Sequence, residues 1–176
     1  SASDPWAVDK EKTPSQVMNI EIQETSASVA CKLNEIWHSR LPQLHPSNVW
    51  RSKKYICFLF LIDKSVVGVG IWSSPVARML SNKTLLELRR LALNKHCPKN
   101  TATYVIARMV KKIKEKFPEI ERLISYQDTE VHLGTIYKAA NWKSTNTSTG
   151  GEWSRNSRSR DKVQTSVPKV RWEYSL

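Results

Sequence analysis

Two apolar runs, Lys54–Ile62 and Val66–Trp72, are separated only by Asp63-Lys64-Ser65. Runs of that length around so short a polar break read as a β-hairpin, which excludes an all-helical fold. Leu85–Leu93 is a further strand, and Arg122–Tyr126 another. Between them, Thr101–Phe117 places Ile106, Met109, Val110, Ile113 and Phe117 on one helical stripe, and Pro118 follows its end. Upstream, Met18–Gln23 alternates Met18, Ile20 and Ile22 against polar residues, as a first strand does. Thr25 and Ser26 suit the cap of a helix whose Val29, Leu33, Ile36 and Trp37 share a face. Pro42 and Pro46 then open a loop. Downstream, Val131–Ala140 reads as a helix. Gly150-Gly151 and the basic stretch Trp153–Lys162 suggest a long hairpin ending in Lys169–Tyr174. The order β-α-β-β-β-α-β-α-β-β defines an α/β chain (α+β, mixed sheet) with helices on both faces, not a doubly wound Rossmann fold. Residues 1–16, polar and interrupted by Pro5 and Pro14, are expected to form a flexible arm, and 17–176 one domain with a basic C-terminal hairpin from about residue 150.

Charge narrows the partner. The chain carries a net charge of +12, which calls for an anionic partner. The excess is uneven: residues 1–88 hold 10 Lys/Arg against 8 Asp/Glu, and residues 89–176 hold 18 against 8. A polyanion on the second half would displace counterions and bind with steep salt dependence. The alternative is a basic surface kept for solubility. A membrane is not the expected partner, since the longest apolar run, Tyr55–Ile62, is of strand length. Three widely spaced cysteines, Cys31, Cys57 and Cys97, fit a reducing cytoplasm better than a disulfide framework.

Candidate chemistry clusters from residue 88 onward. The strand Leu88–Leu93 runs through Cys97-Pro98-Lys99-Asn100-Thr101-Ala102 into a helix, and a helix N-terminus offers unpaired N–H groups to a phosphate. Lys99 adds a cation, Thr101 and Thr103 add hydroxyls, and Asn100 tolerates a left-handed backbone. An ordinary connection capped by Asn100 or Thr101 is the plain alternative. Asp128 lies between a strand and a helix, where it either meets a site or caps the Val131 helix. His132 and His38 each have a structural alternative, and Tyr137 has the alternative of a core tyrosine.

These segments resemble known ones. The layout is similar to the GNAT acyltransferase fold, with a central, mostly antiparallel sheet. That fold's pyrophosphate loop reads Gln/Arg-x-x-Gly-x-Gly/Ala. Ala102 fits its last position, Asn100 stands where glycine is usual, and Cys97 departs at the first. The resemblance implies acetyl-CoA or a related acyl-CoA as cofactor, held by Leu91, Leu93, Lys99, Asn100, Thr101, Ala102 and Thr103. Ile136-Tyr137-Lys138-Ala139-Ala140-Asn141-Trp142 looks like that fold's Leu-Tyr-x-x-x-Gly-Phe, which implies that Tyr137 protonates the departing thiolate.

A closer resemblance is to the phage Mom proteins. It rests on Leu88–Leu93, Pro98–Thr101, Leu123-Ile124-Ser125-Tyr126-Gln127-Asp128-Thr129 and His132–Ala139, with Ile36-Trp37-His38-Ser39 similar to that family's Trp-His segment. It implies conversion of adenine in DNA to N6-carbamoylmethyladenine, which shields phage DNA from restriction, inside a bacterial cytoplasm. It also implies a catalytic set of His38, Ser125, Asp128 and Tyr137. His38, Asp128 and Tyr137 are of types that suit iron, which has been proposed within this family. DNA contact is expected from Arg89, Arg90, Lys111, Lys112, Lys114 and the tail residues Arg155, Arg158, Arg160 and Lys162, with Trp142, Trp153 and Trp172 stacking on bases. A duplex substrate would require base flipping. The alternatives are acylation of another amine (on tRNA, protein or a polyamine), or a non-catalytic nucleic-acid-binding module on the same scaffold.

Overall fold

Asp63 and Lys64 both take positive φ, 51° and 68°, as the two-residue turn that best matches strand twist requires. They join β2 (Tyr55–Ile62) to β3 (Ser65–Ser73) in the expected hairpin. The computed structural model describes residues 19–37, 43–75, 80, 83–128, 135–148 and 169–176. The other elements are β1 (Glu21–Thr25), α1 (Ala27–Trp37), a single turn α2 (Ser47–Trp50), β4 (Leu85–Leu93), α3 (Thr101–Lys116), β5 (Arg122–Asp128), α4 (Thr135–Ala139), β6 (Lys143–Ser148) and β7 (Lys169–Ser175). The expected order holds, with α2 added directly after Pro46. The arm at residues 1–16 lies outside the described residues, as does most of the basic tail.

The strands form one seven-stranded sheet in the order β1-β2-β3-β4-β5-β7-β6. Every neighbouring pair is antiparallel except β4 and β5, which are parallel. Alternation along the central strands builds a core on each face. Phe58, Phe60, Trp72 and Leu88 pack with Val105, Ile106, Met109 and Ile113 of α3. On the opposite face, Cys57 and Ile71 pack with Ala27, Ala30 and Cys31 of α1 and with Val49 of α2. None of the helices in the described residues is long and apolar enough to cross a membrane. Cys31, Cys57 and Cys97 are free thiols, and burial pushes Cys57 up to about 12 and Cys97 to about 11.

The face expected for α1 is corrected. Its buried residues are Ala27, Ala30, Cys31 and Asn34, whereas Val29 is 43% and Ile36 66% exposed. Small side chains let the helix backbone close on the sheet, and the larger ones turn outward. Ser26 caps it as expected, its hydroxyl accepting from the Val29 N–H at 3.2 Å.

Two glycines of β3 set how closely the layers approach. A Cβ at Gly70 would meet the Met109 sulfur at 2.5 Å, and one at Gly68 would meet the Ala92 carbonyl oxygen at 2.7 Å. A methionine side chain can move aside, but a paired backbone carbonyl cannot. Gly70→Ala is therefore expected to cost about 1–3 kcal/mol by overpacking, and Gly68→Ala more. Thermal unfolding followed by circular dichroism checks the order of the two melting temperatures.

Candidate functional site

β4 and β5 pair over only four positions, Leu85↔Arg122 through Leu88↔Ser125. Beyond them β4 continues on β3 to Leu93, while Tyr126, Gln127 and Asp128 stay paired with Arg171, Val170 and Lys169 of β7. The two strands therefore part above Leu88 and Ser125, and a fork opens toward their C-terminal ends. Every second residue of the β4 edge from Arg89 to Leu93 presents backbone N–H and C=O groups into that opening without a β5 partner.

The parting coincides with a β-bulge. Ile71 faces Arg90 and Trp72 faces Leu88, so Arg89 is the extra residue. Arg90 opposes Ile71 and lies on the α1 face. The Arg89 guanidinium donates to the Ser73 hydroxyl at 2.9 Å on that same face. Two adjacent arginines thus line the α1 side of the fork. Desolvation, followed by the charge of Arg89, lowers the pKa of Arg90.

The other side holds a buried hydroxyl pair. Ser125 and Tyr137 lie 2.8 Å apart, oxygen to oxygen, and both are buried. Tyr137 stacks on Trp172 at 5.5 Å between ring centroids and meets Trp142 edge-on at 5.5 Å. α4 ends in a Schellman pattern: Trp142 N–H bonds to the Tyr137 carbonyl at 2.9 Å and Asn141 N–H to that of Lys138 at 3.0 Å. Asn141 takes φ 69° there, the left-handed position usually given to glycine. Burial raises the pKa of Tyr137, partly offset by the bond to Ser125, so the phenol keeps its proton at neutral pH.

α3 starts beside the fork. Asn100 takes φ 73° and makes no side-chain cap bond. The Thr101 hydroxyl donates backward to the Pro98 carbonyl at 2.6 Å, and the Thr101 N–H goes to the same oxygen at 3.2 Å. This corrects the expectation of Thr101 as a hydroxyl donor to a ligand. The first α-helical bond is Tyr104 N–H to Asn100 at 3.1 Å, so the N–H groups of Ala102 and Thr103 precede any helical acceptor. With exposed Lys99 alongside, they suit an anionic group. Leu91 and Leu93, half-buried against the α3-side core, lead from the fork to that loop. An amide-bearing chain ending in a pyrophosphate fits this surface: a strand edge for the amides, a helix start for the phosphates.

The structure separates other expected residues. Trp142 and Trp172 are core side chains packed around Tyr137 and do not stack on bases. Lys111, Lys112 and Lys114 lie on α3, across the sheet from Arg89 and Arg90. For Asp128 the strand position alone is described, three residues past Ser125 at the end of β5. His38, His132, Trp153, Arg155, Arg158, Arg160 and Lys162 fall outside the described residues. No group of three His, Cys, Asp or Glu side chains converges among the described residues, and the third residue of the iron set, Tyr137, has its hydroxyl on Ser125. A groove of about 320 Å³ lined by Lys53, Lys54, Tyr55, Lys116 and Phe117 sits at the far end of α3 and does not open into the fork. Tyr126 was not singled out in the sequence. It is 41% exposed, just past the fork, and opposes Arg171 on the α1 face.

The parted β4–β5 pair with a helix start at its mouth is the GNAT acyltransferase fold, and solved structures agree. An IAA acetyltransferase from Bacillus cereus superimposes with a TM-score of 0.62 at 11% identity, covering 89% of this chain and 99% of that one. The ribosomal-protein-alanine N-acetyltransferase from Brucella melitensis gives 0.62 at 11%, covering 89% and 99%. A GNAT family acetyltransferase from Elizabethkingia anophelis with acetyl-CoA bound gives 0.57 at 12%, covering 90% and 99%. None of the curated proteins matches the chain. The model of the Mom protein family matches residues 19–170, and the chain belongs to that family.

The hydroxyl pair has a thermodynamic signature. Tyr137→Phe keeps the ring but strands the Ser125 hydroxyl, at an expected cost of about 1–3 kcal/mol. Because the folded pKa of Tyr137 is raised, its contribution is complete below the unfolded value near 10 and is lost as pH rises above it. Melting temperature against pH should fall less steeply above pH 10 in Tyr137→Phe than in the parent chain.

Proposed function

We propose that this chain is a transferase that modifies the N6 amine of adenine in DNA, the amine bonding to the acyl carbon of an acyl-CoA-type donor as the donor's thiolate leaves. The single observation behind this reading is the fork, with two arginines on one side and a buried, protonated tyrosine on the other. Membership of the Mom protein family supports adenine in DNA as the substrate, and the basic balance of the chain favours a polyanion over a small amine. When bound, the donor would supply an activated thioester. The Ala102 and Thr103 N–H groups and Lys99 would hold its phosphates, and the β4 edge by Leu91 and Leu93 its amides.

Adenine's amine is a poor nucleophile, because its lone pair is delocalised into the ring. Positioning and proton management must therefore supply much of the rate. We assign orientation or deprotonation of the amine to Asp128, with His38 assisting, and the donor proton to Tyr137, relayed to or held by Ser125. Arg89, Arg90, Arg155, Arg158, Arg160 and Lys162 serve the DNA. Reaching the amine in a duplex requires flipping the base, and the exposed ring of Tyr126 takes the stacking role that Trp142 and Trp172 cannot.

The test is nucleoside mass spectrometry of host DNA after expression. The unaltered chain should yield modified adenine, while Asp128→Asn and Tyr137→Phe, both nearly isosteric, should yield little and still bind DNA. Wild-type levels of modification in both variants would overturn the assignment. The donor is checked separately: CoA at about 100 times its Kd should stabilise the fold by about 2.7 kcal/mol, and Lys99→Glu should abolish the melting shift.

A further inference from the structure

Between α1 and β2 the chain displays an aromatic ring on a rigid mount. Val49 of α2 is fully buried, which fixes the turn to the sheet. The Ser52 hydroxyl bonds to the carbonyls of Val49 at 2.7 Å and Lys54 at 2.9 Å. The Lys54 N–H donates to the Ser74 hydroxyl at 3.0 Å, and the Ser74 N–H to the Lys54 carbonyl at 2.9 Å. On this mount Trp50 is 49% exposed, and the Arg51 guanidinium lies 5.4 Å from its ring centroid. Arg51 and Lys53 are exposed, Tyr55 is exposed beyond them, and no carboxylate occurs from Trp50 to Tyr55. Lys54 of this run pairs with Glu119 at 3.3 Å.

The mount shares the α1 face of the sheet with the fork arginines and lies at the other end of the strands, where Tyr55 pairs with Ser73, whereas the fork opens where Gly68 pairs with Leu93. Val49 packs in the α1-side core, and Ser73, next to Ser74, receives the Arg89 guanidinium. Ser73 and Ser74 are themselves buried, so they tie the bulge arginine to the mount from beneath. One face of the indole is held by Arg51, and an exposed π-face flanked by Arg51 and Lys53 matches a nucleobase next to its phosphates.

We infer that Trp50, Arg51 and Lys53 form a nucleic-acid contact that grips the substrate strand away from the reacting base. This deepens the DNA reading above and rests on it. The probe is a fluorescein-labelled duplex of mixed sequence, titrated by anisotropy over a range of salt. Trp50→Ala should weaken binding about ten-fold, the scale of one lost stacking contact, and Trp50→Phe should restore most of it. Arg51→Glu/Lys53→Glu should lower the slope of log affinity against log salt by about two. Melting temperatures near that of the parent chain verify that the mount survives, since Val49, Ser52 and Ser74 are untouched. If the parent chain binds duplex and all three variants bind as it does, the contact is wrong and the DNA reading stands. If the parent chain fails to bind at low salt, both fall. Loss in Trp50→Ala without recovery in Trp50→Phe overturns the stacking role.

Discussion

A parallel strand pair that stops after four residues leaves two strand edges to be satisfied by something else. β5 solves this on one side by pairing with β7 along its whole length. β4 solves it only on the β3 side, and the bulge at Arg89 bends it away just where β5 is lost. Unpaired backbone groups are costly in a dry core but tolerable in a cleft that water or a ligand can enter. The fork is therefore a place where the sheet is held open by its own connectivity. α3 inherits its position from this arrangement, because the short loop after Leu93 delivers its first turn to the cleft mouth.

Holding Tyr137 at the base of that cleft requires support from several elements. α4 is a helix of five residues, too short to be stable alone. Its single buried side chain is clamped by Trp142 from the following turn and by Trp172 from β7, and the Trp142 indole also meets Trp72 and Tyr174. Such ring pairs each add about 0.5–1.5 kcal/mol beyond burial. The Trp142 indole N–H is buried without a hydrogen-bond partner among the described residues. An unpaired donor is an expense that packing around the phenol must offset. The cluster favours a fixed position for one hydroxyl over the cheapest possible core.

What could be read in advance divides along physical lines. β2, β3, β4 and α3 were legible to within a residue or so, because they are buried on broad apolar faces with clear turn chemistry between them. Asn100 was legible as a left-handed residue for the same local reason. The buried face of α1 was not. Its contact stripe of Ala27, Ala30, Cys31 and Asn34 is small rather than apolar, so hydrophobic size pointed to Val29 and Ile36. The tryptophans misled through proximity in sequence to cations. Trp172 alternates with Arg171 along β7, and alternation sends neighbours to opposite faces. The fork was invisible, since the length over which β4 and β5 pair depends on a bulge and on a strand that arrives some forty residues later. Ser125 entered the candidate set through family resemblance, while its bond to Tyr137 is a tertiary fact.

The sheet also sorts the charge by face, which the sequence average hides. Arg89 and Arg90 flank the fork on the α1 side, and Arg51 and Lys53 lie beside α2 at the other end of the strands. Lys111, Lys112 and Lys114 sit behind the sheet on α3, where they raise the overall field without reaching the same ligand. Lys116, on the same helix, is paired with Glu24 at 2.6 Å. Interactions between exposed charges fade over about 8–10 Å at ordinary salt, so a polyanion on the α1 side feels the near arginines far more than the distant lysines. The turn at Ala102 and Thr103 meanwhile lies at the cleft mouth, at the start of the helix that covers the opposite face. On the proposed reading, donor and DNA would approach the fork from two sides of the sheet, with the strand edge of β4 between them and neither competing for the other's cations.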